Sequence, residues 1–396
     1  MTFITVSRQI SSVARVGIAT IPKRLGASAV VVVGIAGVVG VLVGLLAIGE
    51  GFEKTLTQTG NDRNLIVLQA GAHSEAASSL GRETLAIVSQ APQLRRDADD
   101  RAMISAELLV GASLRKNATG RESNVALRGI GRQAWALRPQ VKIVAGRKFQ
   151  SGLHELVVGR EVRRQFAGTE LGSTLTLQGQ AWTVVGLFDS GDAHNSELWA
   201  DTDVLGPAFR RGNGKSSLLV RLSDSNALGA FKSQLSTDPR LRVDVMTTRQ
   251  YYSRQSERLA GMIRAFGVTI ASIMALGAMF GALNTMYSAV ATRAREIATL
   301  RAIGFRSVPV IVAVLLETML LAAVGGVMGA GIAWLLFDGF SASTMGSGGQ
   351  IMFAFDVSPE LLRNGLLAAL SIGFAGGLLP AVRAARLPIA IALREL

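Results

Sequence analysis

The chain of 396 residues is 49% hydrophobic and only 17% charged, a composition that disfavours an ordinary soluble protein. Its net charge of +13 comes without basic patches interleaved with aromatic residues, so we expect no nucleic-acid partner. The absence of cysteine excludes disulfides and thiolate metal sites.

Residues 1–26 form a basic leader with an amphipathic pattern. Val6, Ile10 and Val13 fall near one helical face, while Arg8 lies away from it. This pattern predicts a cytoplasmic helix along the inner leaflet, with membrane lipid as its partner. A solvated leader without that contact is the alternative.

Four apolar runs are each long enough to cross a bilayer, because a helix needs roughly 20 apolar residues to span a core of about 30 Å. No cleavage-site pattern follows the first run, so we expect a retained anchor and not a signal peptide. Counting the stalk that precedes the second run, the predicted membrane segments are 27–49, 259–291, 308–338 and 363–382.

The charges of the short segments predict the orientation. Basic residues dominate the leader, the link 292–307 and the tail 383–396, whereas the link 339–362 is acidic before Arg363. By the positive-inside rule both termini are cytoplasmic and 339–362 is an outer loop, which is periplasmic in a cell with two membranes. We therefore expect a multi-pass protein, placed in the inner membrane of such a cell.

The segment 50–258 is long enough for a folded domain on the outer side. Strand-like runs such as NLIVLQ alternate with helical runs such as SSLGRETLAIVSQAP, and a strand-rich insert is expected at about 143–212. The predicted fold class is a membrane protein with four transmembrane α-helices and a large α+β extracytoplasmic domain between helices one and two.

No motif of the chain indicates catalysis. GSGGQ at 346–350 and GNGKSS at 212–217 look like fragments of nucleotide-binding loops, but the first lies in the predicted outer loop and the second has Phe209 where a phosphate-binding loop requires glycine. Metal-ligand spacing is matched by none of the three histidines, His73, His154 and His194. We predict no catalytic residue, no metal site and a non-enzymatic chain.

Each predicted membrane helix carries two glycines four residues apart, a pattern that lets helix backbones approach closely. The pairs favour a tightly packed bundle, within the chain or with a second copy. They are Gly40 and Gly44, Gly277 and Gly281, Gly325 and Gly329, and Gly373 and Gly377.

The link 292–307 is the most informative segment. ATRAREIATLRAIGFR favours a short helix that Gly304 can end. Ile297, Leu300 and Ile303 recur at steps of three, which predicts an apolar edge beside a charged one. Two interpretations remain open: the segment is a basic hairpin that only orients the chain, or it is a docking helix for a cytosolic partner.

Glu317 lies about 14 Å along the third span from Val308, near the expected bilayer midplane. An intramembrane carboxylate is unfavourable, so it is a candidate functional residue. Three interpretations are considered: a proton relay, a latch between helix arrangements and a structural hydrogen bond. We favour the structural hydrogen bond.

Several stretches resemble the FtsX/MacB-type ABC transporter permeases. The most specific are REIATLRAIGF at 295–305, VIVAVLLETMLL at 310–321 and PAVRAARLPIAIALREL at 380–396. VKIVAGRKF, ELVVGREV and WTVVGLF extend the resemblance to 50–258, which would correspond to the MacB-like periplasmic core domain.

The resemblance implies partners and a mechanism. In that family two permease chains pair, as a homodimer or heterodimer, and an ABC ATPase binds the cytosolic turn. ATP and Mg would be bound by that ATPase, so we expect no cofactor in this chain. Because only 26 residues precede the first span, the ATPase is expected to be a separate chain. Its closure would move the helices and thereby the periplasmic domain, a mechanism called mechanotransmission.

The family motif also implies which residues contact the ATPase. Charged members of the turn would form charge-assisted hydrogen bonds with a groove that buries Leu300. The motif gives Arg295, Glu296, Leu300, Arg301 and Gly304, and the helix that carries it adds Arg293, Ile297 and Ile303 to the predicted coupling residues.

The expected function is that of a permease subunit for export or extraction of a substrate across the envelope. The alternatives are an FtsX-like signalling subunit that regulates a periplasmic enzyme, a Lol-like lipoprotein release subunit and an ATP-independent receptor. The sequence leaves open the substrate, the direction of movement and the participation of a periplasmic adaptor protein.

Overall fold

The computed structural model describes residues 24–303, 305–346 and 348–386. Most of the predicted leader, Gly304 and the end of the predicted tail therefore lie outside the described residues. The chain divides into two compact units. The first, the helical unit, lies within Met1–Gly51, Ala260–Phe340 and Phe355–Leu396. The second, the sheet unit, consists of Phe52–Leu259 and Ser341–Ala354.

Four helices are long and apolar enough to cross a membrane, as the four apolar runs predicted: α1, α7, α9 and α10. The helices of the described ranges are α1 (Leu25–Thr59), α2 (Arg82–Ser89), α3 (Ala134–Leu137), α4 (Arg160–Gln165), α5 (Thr202–Ala208), α6 (Leu228–Thr237), α7 (Thr248–Thr292), α8 (Ala294–Ala302), α9 (Ser307–Phe337) and α10 (Pro359–Arg386). Short 3₁₀ turns lie at Glu75–Ala77, Ala193–Ser196 and Ser225–Ala227.

Glycines bring α1 and α9 into close contact in the helical unit. A Cβ added at Gly325 would lie 2.7 Å from a carbonyl oxygen of α1, and one at Gly329 would overlap the next turn of α1. On α1, Gly40 faces the carbonyl oxygen of Gly329, and Gly44 packs against the ring of Phe337. At Gly325 and Gly329, only a residue without a side chain allows this separation of the two backbones.

The pair on α10 is also packed, whereas the pair on α7 is not. A Cβ at Gly377 would lie 2.5 Å from Oγ1 of Thr318 on α9, and one at Gly373 would overlap a side chain of the same helix. Among the described residues, nothing lies within 4 Å of a Cβ added at Gly277 or Gly281. Within the chain, the predicted small-residue packing therefore involves α1, α9 and α10.

The sheet unit is built on ten strands, and two further strands form a hairpin. The strands are β1 (Asn64–Gln69), β2 (Ile104–Arg115), β3 (Glu122–Ile130), β4 (Lys142–Gly146), β5 (Glu155–Gly159), β6 (Thr174–Leu177), β7 (Gln180–Asp189), β8 (Glu197–Asp201), β9 (Ser217–Arg221), β10 (Val243–Thr247), β11 (Ser341–Met345) and β12 (Gln350–Ala354). The order in the sheet is β10-β1-β9-β2-β3-β8-β5-β7-β4, with β6 paired to β7.

Most neighbouring strands of this sheet are antiparallel, but β3 with β8 and β5 with β7 are parallel. The region about 143–212, expected as a strand-rich insert, contributes to the same continuous sheet. One apolar core surrounds Phe166 and Trp182, and a second packs α2 and α6 against β1 and β9 around Phe231. Both cores arise because alternate strand residues point to the same face.

The hairpin β11–β12 comes from the segment between α9 and α10 and belongs to the sheet unit. The sequence predicted only a loop at 339–362, so the domain draws on more of the chain than the segment between the first two membrane helices. Met352 is buried in the core around Trp182, and its backbone N–H donates to Oγ of Ser196 at 2.9 Å. The physical reason is that an apolar strand face needs a partner surface, which β3 and the turn at Ala193–Ser196 provide.

Candidate coupling site

The turn between α7 and α9 is a short helix, α8, set off from α7 by a single residue. Arg293 leaves the helical region of backbone space, with φ −106° and ψ 10°, and α8 starts directly after it. Glu296 lies in the first turn and Arg301 in the last, the arrangement that the helix dipole favours. The helix ends with a hydrogen bond from Ile303 N–H to the Thr299 carbonyl at 3.1 Å.

One face of α8 is anchored in the helical unit. Ile297 and Ala298 are buried, with exposed fractions of 7% and 1%. Ile297 belongs to an apolar cluster contributed by α7, α9 and α10, whose other buried members are Met286, Ala289, Val290, Val310, Val314, Ala381 and Ala384. Burying one isoleucine side chain contributes roughly 1.5–3 kcal/mol of stabilisation, because its apolar surface leaves water. This burial holds α8 against the bundle.

The predicted apolar edge of α8 does not remain on one side. Ile297 is buried, Leu300 is half-buried, and Ile303 is 70% exposed. Steps of three residues fall short of the helical repeat of 3.6, so each step turns the edge by about 60°. Of the charged coupling candidates, Arg295 and Glu296 are exposed and Arg301 is half-buried.

Glu317 of α9 forms two ion pairs at the base of α8. Its Oε1 accepts from Nη2 of Arg24 at 3.2 Å, and its Oε2 accepts from Nη1 of Arg293 at 3.0 Å. The Glu317 side chain is 6% exposed, so the two guanidinium groups supply the hydrogen bonds that a buried carboxylate requires. These three residues, the Glu317 cluster, connect the residue before α1, the residue before α8 and the first third of α9.

Arg24 was predicted only as one of several basic residues that set the orientation. Sequence reasoning missed its pairing with Glu317, because the two residues lie 293 positions apart and share no motif. Arg293, by contrast, was among the predicted coupling residues, and the structure places it in contact with the predicted intramembrane glutamate.

A cavity of about 40 Å³ lies beneath α8, large enough for a few water molecules. Arg293, Glu296, Leu300 and Glu317 contribute to its wall, together with apolar residues of α7 and α9. The cavity places half-buried Leu300 over an apolar floor beside the Glu317 cluster.

The sheet unit contains a second ion cluster that the sequence did not predict. Arg128 contacts three carboxylates, at 2.8 Å from Glu75, 3.0 Å from Glu107 and 2.8 Å from Glu197. Arg138 pairs with Glu107, with Nη2 2.7 Å from Oε2. Burial would raise the pKa of Glu107, but the attraction of Arg138 and Arg128 outweighs it and lowers that pKa to about 2. We call these five residues the Arg128 cluster.

The Arg128 cluster adjoins the start of α7. The backbone N–H of Glu75 donates to the Tyr251 hydroxyl at 3.0 Å. Oγ1 of Thr248, the first residue of α7, donates to the Asn61 carbonyl at 2.8 Å and accepts from Asn61 N–H at 2.9 Å. Within the sheet unit, the beginning of α7 and the segment just after α1 are thus held to each other and to the sheet.

The three histidines lie in separate surroundings. Nε2 of His154 is 2.8 Å from Oε1 of Gln180, and Nδ1 of His194 is 2.9 Å from Oδ1 of Asp192. Across the part of the chain that the structure describes, no group of three or more His, Asp or Glu side chains is arranged to hold a metal ion.

Four apolar helices, an α/β sheet unit and an anchored short helix between two of the long ones define a membrane permease. Two family models match this chain: the MacB-like periplasmic core domain over residues 28–238 and the FtsX-like permease C-terminal over residues 268–389. The chain belongs to the FtsX-like permeases that carry a MacB-like periplasmic core domain.

Curated relatives of known name agree with this family. The chain is 25% identical over 390 residues to the macrolide export ATP-binding/permease protein MacB 1/2 of Paracoccus denitrificans, covering 92% of this chain and 55% of the relative. It is 24% identical over 388 residues to MacB of Neisseria gonorrhoeae, covering 90% and 56%. The chain thus spans about half the length of the curated relatives it matches. The solved periplasmic region of MacB from Actinobacillus actinomycetemcomitans is 13% identical and covers 49% of this chain and 92% of that one, with a TM-score of 0.39.

Proposed function

We propose that this chain is the permease subunit of an ABC transporter in the inner membrane, driven by a separate ATPase that binds α8. One observation carries the proposal: α8 is anchored through Ile297, while Arg295, Glu296 and Ile303 of the same turn are exposed. A short helix with an apolar and charged outer face is suited to a groove on a partner. The relatives are named ATP-binding/permease proteins, which supports an ATPase as that partner.

Force applied to α8 would reach the other helices through the Glu317 cluster. Arg293 lies at the junction of α7 and α8, and Glu317 passes the displacement to α9 and, through Arg24, to α1. α7 is one continuous helix of 45 residues, about 68 Å long. Since a helix resists axial compression through its hydrogen bonds, α7 is suited to carry movement from α8 to the sheet unit by mechanotransmission.

In this proposal α8 and both termini are cytoplasmic, and the sheet unit is periplasmic, following the basic charge of the short segments. A second permease chain, identical or related, completes the membrane part. ATP and Mg are bound by the ATPase and not by this chain. Because the relatives are named for macrolide export, a macrolide is the first cargo to test.

The test is co-purification from the native membrane. The full chain would carry a C-terminal tag and be extracted in mild detergent. The double variant Arg295→Glu/Ile303→Asp would be prepared in the same way, and the proteins bound to each would be identified by mass spectrometry. Arg363→Glu is the matched control, because Arg363 is an exposed arginine near the start of α10, far from α8 in sequence.

We expect an ABC ATPase with the wild type and the control and at least tenfold less with the α8 variant, since burying an unpaired or reversed charge in an interface weakens binding by several kcal/mol. Equal recovery with all three proteins would exclude α8 as the docking helix. Recovery of the folded wild type without any ATPase would favour an ATP-independent receptor.

A further inference from the structure

The sheet unit contains a cavity lined by arginines that neither the coupling site nor the Arg128 cluster uses. Its volume is about 220 Å³, far above the roughly 10–15 Å³ that one water molecule needs. Arg63, Arg95 and Arg221 contribute to its wall, next to the apolar side chains of Leu222 and Leu228.

Backbone pairing forces the three arginines together. Arg221 at the end of β9 lies opposite Asn64 of β1. Arg63 is therefore the residue directly before the register partner of Arg221. The N–H of Arg95 donates to the carbonyl of Arg221 at 2.8 Å. Like charges that line one cavity repel each other. Burial lowers the pKa of Arg221, and the positive charges of Arg95 and Arg63 lower it further.

The surrounding residues do not neutralise this charge. Arg221 donates through Nε to Oδ1 of Asn64 at 2.8 Å and through Nη2 to the Leu137 carbonyl at 2.9 Å, and both acceptors are neutral. These bonds fix the guanidinium and, among the described residues, leave Nη1 without a hydrogen-bond partner. The acid in the wall, Asp62, is 2.8 Å from Nε of Arg249. In the described ranges, neither Arg63 nor Arg95 forms a side-chain ion pair.

We propose that this cavity binds a phosphate group. Three guanidinium groups around one cavity offer more donors than the two oxygens of a carboxylate can accept, whereas a phosphate monoester has three terminal oxygens. Leu222 and Leu228 form an apolar wall beside them, which suits a phosphate attached to an organic group. The phosphate can come from free inorganic phosphate or from an anionic phospholipid headgroup, and the two sources share this chemistry.

Binding is measured on the full chain in detergent by isothermal titration calorimetry at constant ionic strength, because bulk salt screens exposed charges. The probes are inorganic phosphate, dihexanoyl phosphatidic acid and acetate. The variant Arg63→Gln/Arg95→Gln removes two exposed guanidinium groups and keeps Arg221 with its structural bonds. Arg82→Gln, an exposed arginine at the start of α2, is the control.

We expect saturable binding of at least one phosphate probe to the wild type and to the control, and weaker or no binding of acetate. Each lost guanidinium should weaken phosphate about tenfold. Tighter binding of phosphatidic acid than of inorganic phosphate assigns the site to a lipid headgroup, and equal binding assigns it to free phosphate. Absence of binding of either phosphate probe to the wild type, or equal binding to the double variant, overturns the proposal.

Thermal unfolding gives a second measurement. In phosphate-free buffer the double variant should unfold at the same or a higher temperature than the wild type, because repulsion at Arg221 is relieved. Phosphate should raise the unfolding temperature of the wild type and leave that of the double variant unchanged. A variant that unfolds at a lower temperature in phosphate-free buffer would show that the arginines stabilise the fold and would overturn the assignment.

Discussion

The ion clusters of the two units have opposite charge ratios. In the helical unit one carboxylate, Glu317, is shared by two guanidinium groups whose side chains remain 15% and 21% exposed. In the sheet unit one guanidinium, Arg128, is shared by three carboxylates and is 2% exposed. The Glu317 cluster carries excess positive charge and has access to water, whereas the Arg128 cluster carries excess negative charge and has almost none.

The two clusters also differ in what their separation would leave behind. The partly exposed arginines can regain water when they leave Glu317, but the carboxylate is 6% exposed and would lose its hydrogen bonds. A fully buried arginine that leaves its carboxylates abandons uncompensated charges in a low-dielectric interior. Separating the Arg128 cluster is therefore expected to require more free energy than separating the Glu317 cluster.

The largest effect is expected from Arg128→Met. This change leaves three buried carboxylates with Arg138 as their remaining guanidinium partner, which should destabilise the sheet unit by about 3–5 kcal/mol. The unfolding temperature of the full chain in detergent measures the loss. Arg132→Met, in the exposed turn after β3, is the control and should change that temperature little. Equal unfolding temperatures for the two variants would show that the Arg128 cluster does not stabilise the domain.

Acid should weaken the sheet cluster next. The folded-state pKa of Glu107 is about 2, below its ordinary value of 4.5, so the ionised form stabilises the fold. That stability is complete above pH 4.5 and is lost as the pH falls through about 2, with a total of about 3 kcal/mol. Tryptophan fluorescence between pH 5 and pH 2 follows the loss in a Trp334→Phe background, which leaves the three tryptophans of the sheet unit as reporters. In the Glu107→Gln variant, the free energy of unfolding should fall less steeply as the pH is lowered. An unchanged slope would assign the loss of stability to other carboxylates.

A smaller effect is expected from Glu317→Gln. The two arginines lose their shared carboxylate and repel each other, which should destabilise the helical unit by about 2 kcal/mol. The exposed pair of Glu360 and Arg363 offers the control Glu360→Gln, for which we expect a change within about 0.5 kcal/mol. Unfolding temperatures of the detergent-solubilised chain distinguish the two, and a control as destabilised as Glu317→Gln would contradict the role of burial.

The smallest effect is expected from removing one arginine of the Glu317 cluster at a time. Arg24→Gln and Arg293→Gln should each destabilise the chain by about 1 kcal/mol or less, because Glu317 keeps the other guanidinium. The double variant should lose more than the sum of the single variants, which a double-mutant cycle measures. Additive losses would mean that the two arginines do not substitute for each other.

The membrane helices were predictable because each apolar run carries its own signal. The end of α1 was not, since helix-favouring polar residues extend it to Thr59, beyond the apolar run. The hairpin β11–β12 was missed for a related reason. SASTM and QIMFA are too short and too mixed for a strand pattern, and they are held in place by packing on distant residues such as Ser196.

The candidate site was predictable in position and less so in its contacts. Composition alone indicated a helix at 292–307, and the family resemblance singled out its residues. The burial of Ile297 and the exposure of Ile303 depend on how α8 rests on the bundle, which a step of three residues does not determine. The carboxylates that surround Arg128 lie on distant segments, so no local period could predict them.

The origin of β11 and β12 imposes an order on biogenesis. When a ribosome has completed residues 52–259, the nascent sheet unit still lacks its hairpin, and the residues for it follow only after α7, α8 and α9 have been synthesised. Until then the hydroxyl of Ser196 lacks the backbone N–H of Met352, and the core position of Met352 is unfilled. Maturation of the domain therefore waits for the third long helix, so that a chain arrested earlier cannot present a finished domain.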